Sequence, residues 1–212
     1  MKIEIWSDIA CPFCYIGKRK LEKAIQKLDD PNQVELEWKS FQLNPDLVSD
    51  PSLSTLDYLS QSKGWSTEQT LKVTSQVVSM AKEEGLNFDF TQTVVANTKK
   101  AHRLLHLAKE TGHQDQLKER LLKAYFCEGK NVDDIATLLQ LAEEVGLNKH
   151  SAEASLRSEK YSGALDQDIY ESRLIGVQGV PFFVFDRKYG ISGAQPDEVF
   201  DRTLQQALQE IK

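Results

Sequence analysis

Cysteine is scarce in this chain: three in 212 residues. That count excludes a structural disulfide framework, which staples a small core with several bridges. Clusters of lysine and arginine are absent too, and the formal net charge is −6. Nucleic acid is therefore not an expected partner, because phosphate contacts need a basic footprint. No apolar run approaches the length that spans a bilayer, so no membrane partner is expected either. The first residues alternate like a strand. They lack the basic segment and apolar core of a signal peptide, so a cytoplasmic location is expected. Internal repeats and low-complexity tracts are missing. What remains is an ordinary globular composition, 40% hydrophobic and 27% charged, on a chain long enough for a sizeable core.

Against that background one short stretch carries chemistry: Cys11-Pro12-Phe13-Cys14. It follows a strand-like run, Lys2-Ile3-Glu4-Ile5-Trp6, and opens a helix-like one from Ile16 to Leu28. Two thiols two residues apart can cycle between dithiol and disulfide. A helix start favours a thiolate on the first of them through its free N–H groups and positive dipole end. Pro12 suits the first helical position, where a missing N–H costs nothing. The N–H groups of Phe13 and Cys14 are then expected to point at the Cys11 sulfur. Cys11 reads as the attacking thiolate and Cys14 as the resolving thiol.

The ends of the chain read differently from its middle. Val34, Leu36 and Trp38 alternate with polar residues as a second strand, so the first 40 residues form a strand–helix–strand unit. From Asn44 to about Leu165 the pattern is helical and strand signals nearly vanish. Helices are expected at Thr55–Lys63, Thr67–Glu84, Gln114–Cys127 and Ser162–Ile175. Apolar stripes at Ala101, Leu104, Leu105 and Ala108, and at Ile135, Leu138, Leu139, Ala142 and Val145, mark two more. Phe182-Phe183-Val184-Phe185 then reads as a buried strand, Gly190–Gly193 as its hairpin partner, and Pro196 opens a last helix. The expected architecture is α/β: a thioredoxin-like core from 1–45 and 166–212, interrupted by a helical insertion over 46–165 that has no sheet of its own.

Val180-Pro181 stands directly before the buried strand, where proline is tolerated. Local sequence alone favours a trans bond, since only about 5–6% of X-Pro bonds are cis. The topology, which sets this proline opposite the cysteine motif, reverses that judgement. A cis bond would turn the Val180 backbone toward the site, where a substrate chain could pair with it.

Other residues compete for the same roles. Cys11 and Cys14 could bind zinc with His102 and His106, which are spaced i, i+4. Finger-like sites keep their pairs much closer in sequence, and His106 falls nearly opposite the apolar stripe, so no metal is expected. His102 lies nearer the stripe and could sit above the site. Cys127 reads as a small buried hydrophobe at a helix end. Trp6 reads as packing. Asp8 reads as a turn cap, because a carboxylate beside Cys11 would raise its pKa.

Cys11–Lys18 together with Gly179-Val180-Pro181-Phe182-Phe183 and Ile191–Pro196 resembles the DsbA-like thioredoxin superfamily. Its FrnE-type dithiol oxidoreductases, relatives of hydroxychromene-carboxylate isomerases and kappa-class glutathione transferases, are the most similar branch. The resemblance runs over nearly the whole chain. It implies that Cys11 is the nucleophile, Cys14 the resolving thiol and Pro181 a cis proline. Pro12, Phe13, Val180 and Pro181 would contact substrate. Gly193, Ala194 and Gln195 would lie near the place where relatives hold glutathione, whereas plain sequence reads them as a turn before a helix. Thiols and disulfides, of proteins or small molecules, are the implied partners. No tightly bound cofactor is implied, and glutathione would serve as co-substrate. Apolar faces on the helical segment would suit a homodimer. The dipeptide between the cysteines carries no histidine, a departure from DsbA that removes one source of thiolate stabilisation. The isomerase and transferase relatives usually lack the second cysteine, so Cys14 favours thiol–disulfide exchange over isomerisation of a small aromatic substrate. A non-catalytic binding protein with the same shape is the third reading.

Overall fold

Strand β1 (Lys2–Ser7) pairs in parallel with β2 (Glu35–Ser40), Ile5 opposite Trp38. The crossover between them is α1 (Pro12–Gln26), followed by a single 3-10 turn at Pro31–Gln33. On its other edge β1 pairs antiparallel with β5 (Phe182–Phe185), which turns through Asp186 and Arg187 into β6 (Tyr189–Ser192). Both turn residues have left-handed φ, 46° and 57°, the geometry a tight hairpin demands. The sheet order is β2-β1-β5-β6. The structure is a computed structural model, and it describes residues 1–210.

Between β2 and β5 runs the helical segment. It contains α2 (Thr55–Lys63), α3 (Thr67–Glu83), α4 (Lys99–Glu110), α5 (Gln114–Glu128), α6 (Ile135–Glu144), α7 (Lys149–Arg157) and α8 (Ser162–Leu174). A final helix, α9 (Asp197–Gln209), closes the chain onto α1. Two expectations need correction here. The segment does have a small sheet, β3 (Asp50–Ser54) with β4 (Val94–Val95), and the expected boundary at 165/166 falls inside α8. The sequence hides the small sheet because β3 contains a proline and three polar residues, Asp-Pro-Ser-Leu-Ser. Helix α7 lacks a clear apolar stripe and was not among the expected helices. It is capped by Asn148, whose side chain accepts from the Ser151 N–H at 3.0 Å.

Two cores result. Ile3, Ile5, Leu21, Phe183, Phe185, Phe200 and Leu204 form one, in which α1 and α9 cover the apolar face of the sheet. The other gathers the helices around Phe88, Phe126, Leu104, Leu121 and Leu141, and it takes in Tyr15 and Ile16 from α1. Helix α1 therefore belongs to both, and its N-terminus lies at their junction. Gly17 sets its depth: a Cβ there would meet Phe183 at 3.0 Å and Pro181 at 3.1 Å. Without a side chain at that position, α1 can press onto β5 and hold the cysteines beside Pro181.

Alternation in β1 and β2 normally leaves one sheet face in water. Here the polar face is covered as well. Glu4, Glu37 and Lys39 are buried or nearly so beneath α4 and α8. Their charges pair: Glu37 with Lys2 and Lys109, Glu4 with Arg187, and Lys39 with Glu37 (3.2 Å), Asp168 (3.3 Å) and Glu171 (3.3 Å). Covering such a face is tolerable only because each charge finds a partner.

Candidate active site

Strand β1 ends at Ser7, and Asp8-Ile9-Ala10 turns the chain into α1. Cys11 is the residue before the helix, with extended φ −97° and ψ 110°, and Pro12 occupies the first helical position. Cys14 follows within the first turn. Its N–H donates to the Cys11 carbonyl at 3.0 Å. It is thus not wholly free for the Cys11 sulfur, as the sequence alone suggested, although it also faces that sulfur. The Cys11 thiol donates to the Val180 carbonyl at 3.3 Å. The Val180–Pro181 peptide is cis. Residues distant in sequence are thereby in direct contact, and in the dithiol the Val180 oxygen is already occupied by Cys11.

The two sulfurs have different surroundings. Cys11 is 3% exposed and opens onto a cavity of about 490 Å³; Cys14 is fully buried behind it. The cavity is walled by Pro12, Phe13, Leu43 and Val180 on one side. On the other, the helical segment contributes Tyr58, Trp65, Val77, Phe90 and Tyr125. Most of this wall is apolar. Pro181 itself does not line it, and neither do Gly193, Ala194 and Gln195. The Gly193 N–H donates to the Pro181 carbonyl at 2.8 Å, and the Gln195 amide folds back onto the Ser192 carbonyl at 2.8 Å. In this structure the 193–195 turn supports Pro181 and satisfies its own backbone.

Behind the cysteines lies a buried polar cluster. Asp8 accepts from the Leu43 N–H at 2.8 Å and meets His102 Nε2 at 3.2 Å. Burial opposes its charge, but the His102 hydrogen bond and the Leu43 amide outweigh burial and hold its carboxyl below the ordinary range. Burial likewise lowers His102 despite Asp8. Asp8 therefore does more than cap the turn. It is a buried carboxylate near both thiols, and its charge adds to the rise of Cys11.

The two thiols share their first ionisation, since the S–H of one stabilises the thiolate of the other. The Cys14 sulfur and burial push Cys11 well above an ordinary thiol. Burial opposes a charge on Cys14 too, but the Cys11 thiol, the Lys118 ammonium and the Ser7 hydroxyl lower it overall. The sequence placed the anion on Cys11, at the helix start. In the closed dithiol it belongs on Cys14, because the buried cation is on that side and the carboxylate on the other.

Several other expectations are now placed. His102 is buried beside Asp8, and its Nδ1 has no hydrogen-bond partner among the described residues. His106 is buried, not opposite the packed face, because α4 is covered on every side from Ala101 to Ala108. It meets Ser40 Oγ at 3.1 Å and Asp168 at 3.3 Å. Trp6 is fully buried and its Nε1–H donates to the Asp168 carbonyl at 2.9 Å. Cys127 is half-buried on α5, where burial raises its thiol, and it does not reach the cavity. Lys118 was missed, although a signal exists. It shares the i, i+3, i+4, i+7 stripe of Leu121, Leu122 and Tyr125, and a lysine on an apolar stripe is a buried-charge warning.

The fold has known counterparts. The chain is 31% identical to YwbO of Bacillus subtilis over 206 residues, 95% of this chain and 94% of that protein. It is 38% identical to a probable DsbA oxidoreductase of Streptomyces coelicolor, whose crystal structure matches with a TM-score of 0.92 over 99% of this chain and 91% of that one. The cytosolic disulfide reductase DsbM of Pseudomonas aeruginosa shares the fold at 16% identity, TM-score 0.69 over 99% of both chains. So does a 2-hydroxychromene-2-carboxylate isomerase, at 16% identity and TM-score 0.69, over 100% of this chain and 96% of that one. The model of the DSBA-like thioredoxin domain matches residues 2–205, and the chain belongs to that family.

Proposed function

We propose that the protein is a thiol–disulfide oxidoreductase of the FrnE type in which Cys11 is the nucleophile and Cys14 the resolving thiol. The observation that carries this reading is the asymmetry of the pair: Cys11 opens onto the cavity while Cys14 is sealed behind it. In the reductive direction the incoming substrate displaces the Cys11 thiol from Val180, and its proton passes to the Cys14 sulfur, which leaves the anion on Cys11. It attacks a substrate disulfide; the Cys11–substrate S–S bond forms and one substrate thiolate leaves. Cys14 then attacks Cys11, the intramolecular disulfide forms, and the second substrate thiolate leaves. The substrate is reduced by two electrons and the protein oxidised by two. The reverse sequence oxidises dithiols.

Pro12, Phe13, Val180 and Pro181 contact the substrate on this reading, and the Val180 carbonyl freed from Cys11 pairs with the substrate backbone. Glutathione acts as a co-substrate near Gly193, Ala194 and Gln195 and nothing is tightly bound. The work is done in the cytoplasm, a reading supported by the small number of cysteines, and the partners are thiols and disulfides of proteins or small molecules.

The mostly apolar cavity supports a second reading, a glutathione-dependent isomerase or transferase acting on a small aromatic substrate. There Cys11 positions glutathione and Cys14 is dispensable. Assay of Cys14→Ser separates the two. Loss of catalysed insulin reduction, with a trapped Cys11 mixed disulfide, supports exchange. Full activity of Cys14→Ser on an aromatic substrate would sink it.

A further inference from the structure

The cavity over Cys11 is larger than a nucleophile needs. Its 490 Å³ is the size of a small-molecule site, and such sites are mostly apolar with a few placed polar groups. Several of its polar side chains are already spent. Thr55 and Thr74 donate to the carbonyls of Thr93 and Thr70 at 2.7 and 2.8 Å. The Asp8 carboxylate accepts from the Leu43 N–H and meets His102. Three donors on the cavity wall are free. Tyr125 is 6% exposed, and its hydroxyl has no hydrogen-bond partner among the described residues. The ring is buried but its oxygen is not sealed in, which leaves the O–H open to the cavity. Burial, with Asp8 and Tyr58 close by, raises this phenol, so it stays protonated and donates. The Tyr58 hydroxyl accepts from the Asn44 side-chain amide at 3.1 Å, which leaves its own proton to give. Lys63, in the last turn of α2, is exposed at the rim and forms no ion pair among the described residues. It is the one cation among the described residues that line the cavity. The polarity is therefore lopsided. The lone carboxylate, Asp8, belongs to the turn that leads into Cys11, whereas the ammonium and the two phenols come from the helical segment. An anionic group is disfavoured beside Asp8 and favoured beside Lys63.

We propose, resting on the exchange mechanism above, that the substrate is a small disulfide whose apolar body fills this cavity and whose carboxylate is held by Lys63, Tyr58 and Tyr125. The Cys11 thiolate attacks the nearer substrate sulfur. The Cys11–S bond forms, the substrate S–S bond breaks, and the other half leaves as a thiolate with the electron pair. Cys14 then resolves the mixed disulfide as before. The carboxylate takes no part in the bond changes. It fixes the apolar body so that the sulfur lies against Cys11. Lys63, Tyr58 and Tyr125 are thus binding residues, supplied by the helical segment and not by the strand–helix unit that carries the cysteines. The net charge of −6 works against any anion, so a preference for one has to arise locally.

Two aromatic disulfides separate the anion from the ring. Ellman's reagent carries a carboxylate on each ring, and bis(4-nitrophenyl) disulfide is the same molecule without them. Stopped-flow release of aromatic thiolate gives the rate of capture by Cys11 for each. Dividing each rate by that of free cysteine removes intrinsic reactivity. The wild type is expected to prefer Ellman's reagent by about tenfold. Lys63→Met should lower that preference about tenfold, and Lys63→Glu should reverse it. Tyr125→Phe, which removes only the hydroxyl, should lower it about fivefold. A wild-type preference of one or less, or a preference that Lys63→Met leaves in place, overturns the proposal. A preference that Lys63→Met abolishes and Tyr125→Phe leaves untouched means attraction at the rim alone, and overturns binding within the cavity. Should Tyr125→Phe not fold, Tyr58→Phe replaces it in that comparison. If the wild type releases thiolate from neither disulfide, the exchange mechanism fails instead. Inert 2-nitrobenzoate then tests the anchor by itself, through quenching of Trp65 in the cavity wall. It should bind the wild type about tenfold more tightly than Lys63→Met, and equal affinity overturns the proposal.

Discussion

Cys11 and Cys14 are two residues apart on one helix and face opposite kinds of interior. On the Cys11 side the wall is apolar and open to a cavity. On the Cys14 side it is closed, and the nearby charge is the Lys118 ammonium. The difference shows how one fold can separate the two halves of an exchange reaction. Substrate selection needs surface and shape, and the helices supply both. Resolution needs a thiolate on Cys14, and the buried Lys118 ammonium lowers that thiol. The cost of holding such charges in the interior is met by partnering, as in the Glu4–Glu37–Lys39 network on the polar face of the sheet.

The largest test of this contrast is Cys11→Ser. Capture of Ellman's reagent should fall to background, because no thiol remains on the cavity side. Capture through Cys14 in that variant would mean that the closed side opens readily and that the two sides are equivalent. Next come the cores. Phe183→Ala in the sheet core and Phe126→Ala in the helical core should each lose about 3–5 kcal/mol in denaturant unfolding. Only Phe126, which also lines the cavity, should change KM for an aromatic disulfide. Equal changes in KM would erase the distinction.

A smaller effect concerns buried charge. Burial opposes ionisation of Glu37, but Lys109, Lys2 and Lys39 lower its carboxyl to about 2. A carboxylate lowered on folding stabilises above its unfolded pKa, and this contribution is lost as pH falls from about 4.5 toward 2. Glu37→Gln should therefore cost about 2 kcal/mol near neutral pH, and the gap to wild type should close in acid. A gap independent of pH would show that packing, not charge, holds this face. The smallest expected change is at the cavity wall. Val73→Trp should raise KM for an aromatic disulfide about tenfold and leave small aliphatic disulfides nearly unaffected.

Much of this was legible. The order of strands and helices follows from alternation at Ile3 and Ile5, from the apolar run at Phe182–Phe185 and from the stripes of α4 and α6. What escaped was non-local. His106 looked exposed because the periodicity of one helix reports its best-packed face and cannot report a second helix, α8, laid over the other. Lys118 lay on an apolar stripe and could have been noticed, yet nothing in its neighbourhood names Cys14.

The sequence by itself determined that two thiols stand at a helix start and that a proline precedes a buried strand, since both depend on residues close in the chain. Only the tertiary structure decided which sulfur faces the cavity, that the Cys11 thiol meets the Val180 carbonyl, and that the charge of the buried Lys118 lowers Cys14. Ionisation depends on charges a few ångströms away through a dry interior, and those charges come from β1, α4 and α5, which only packing brings together.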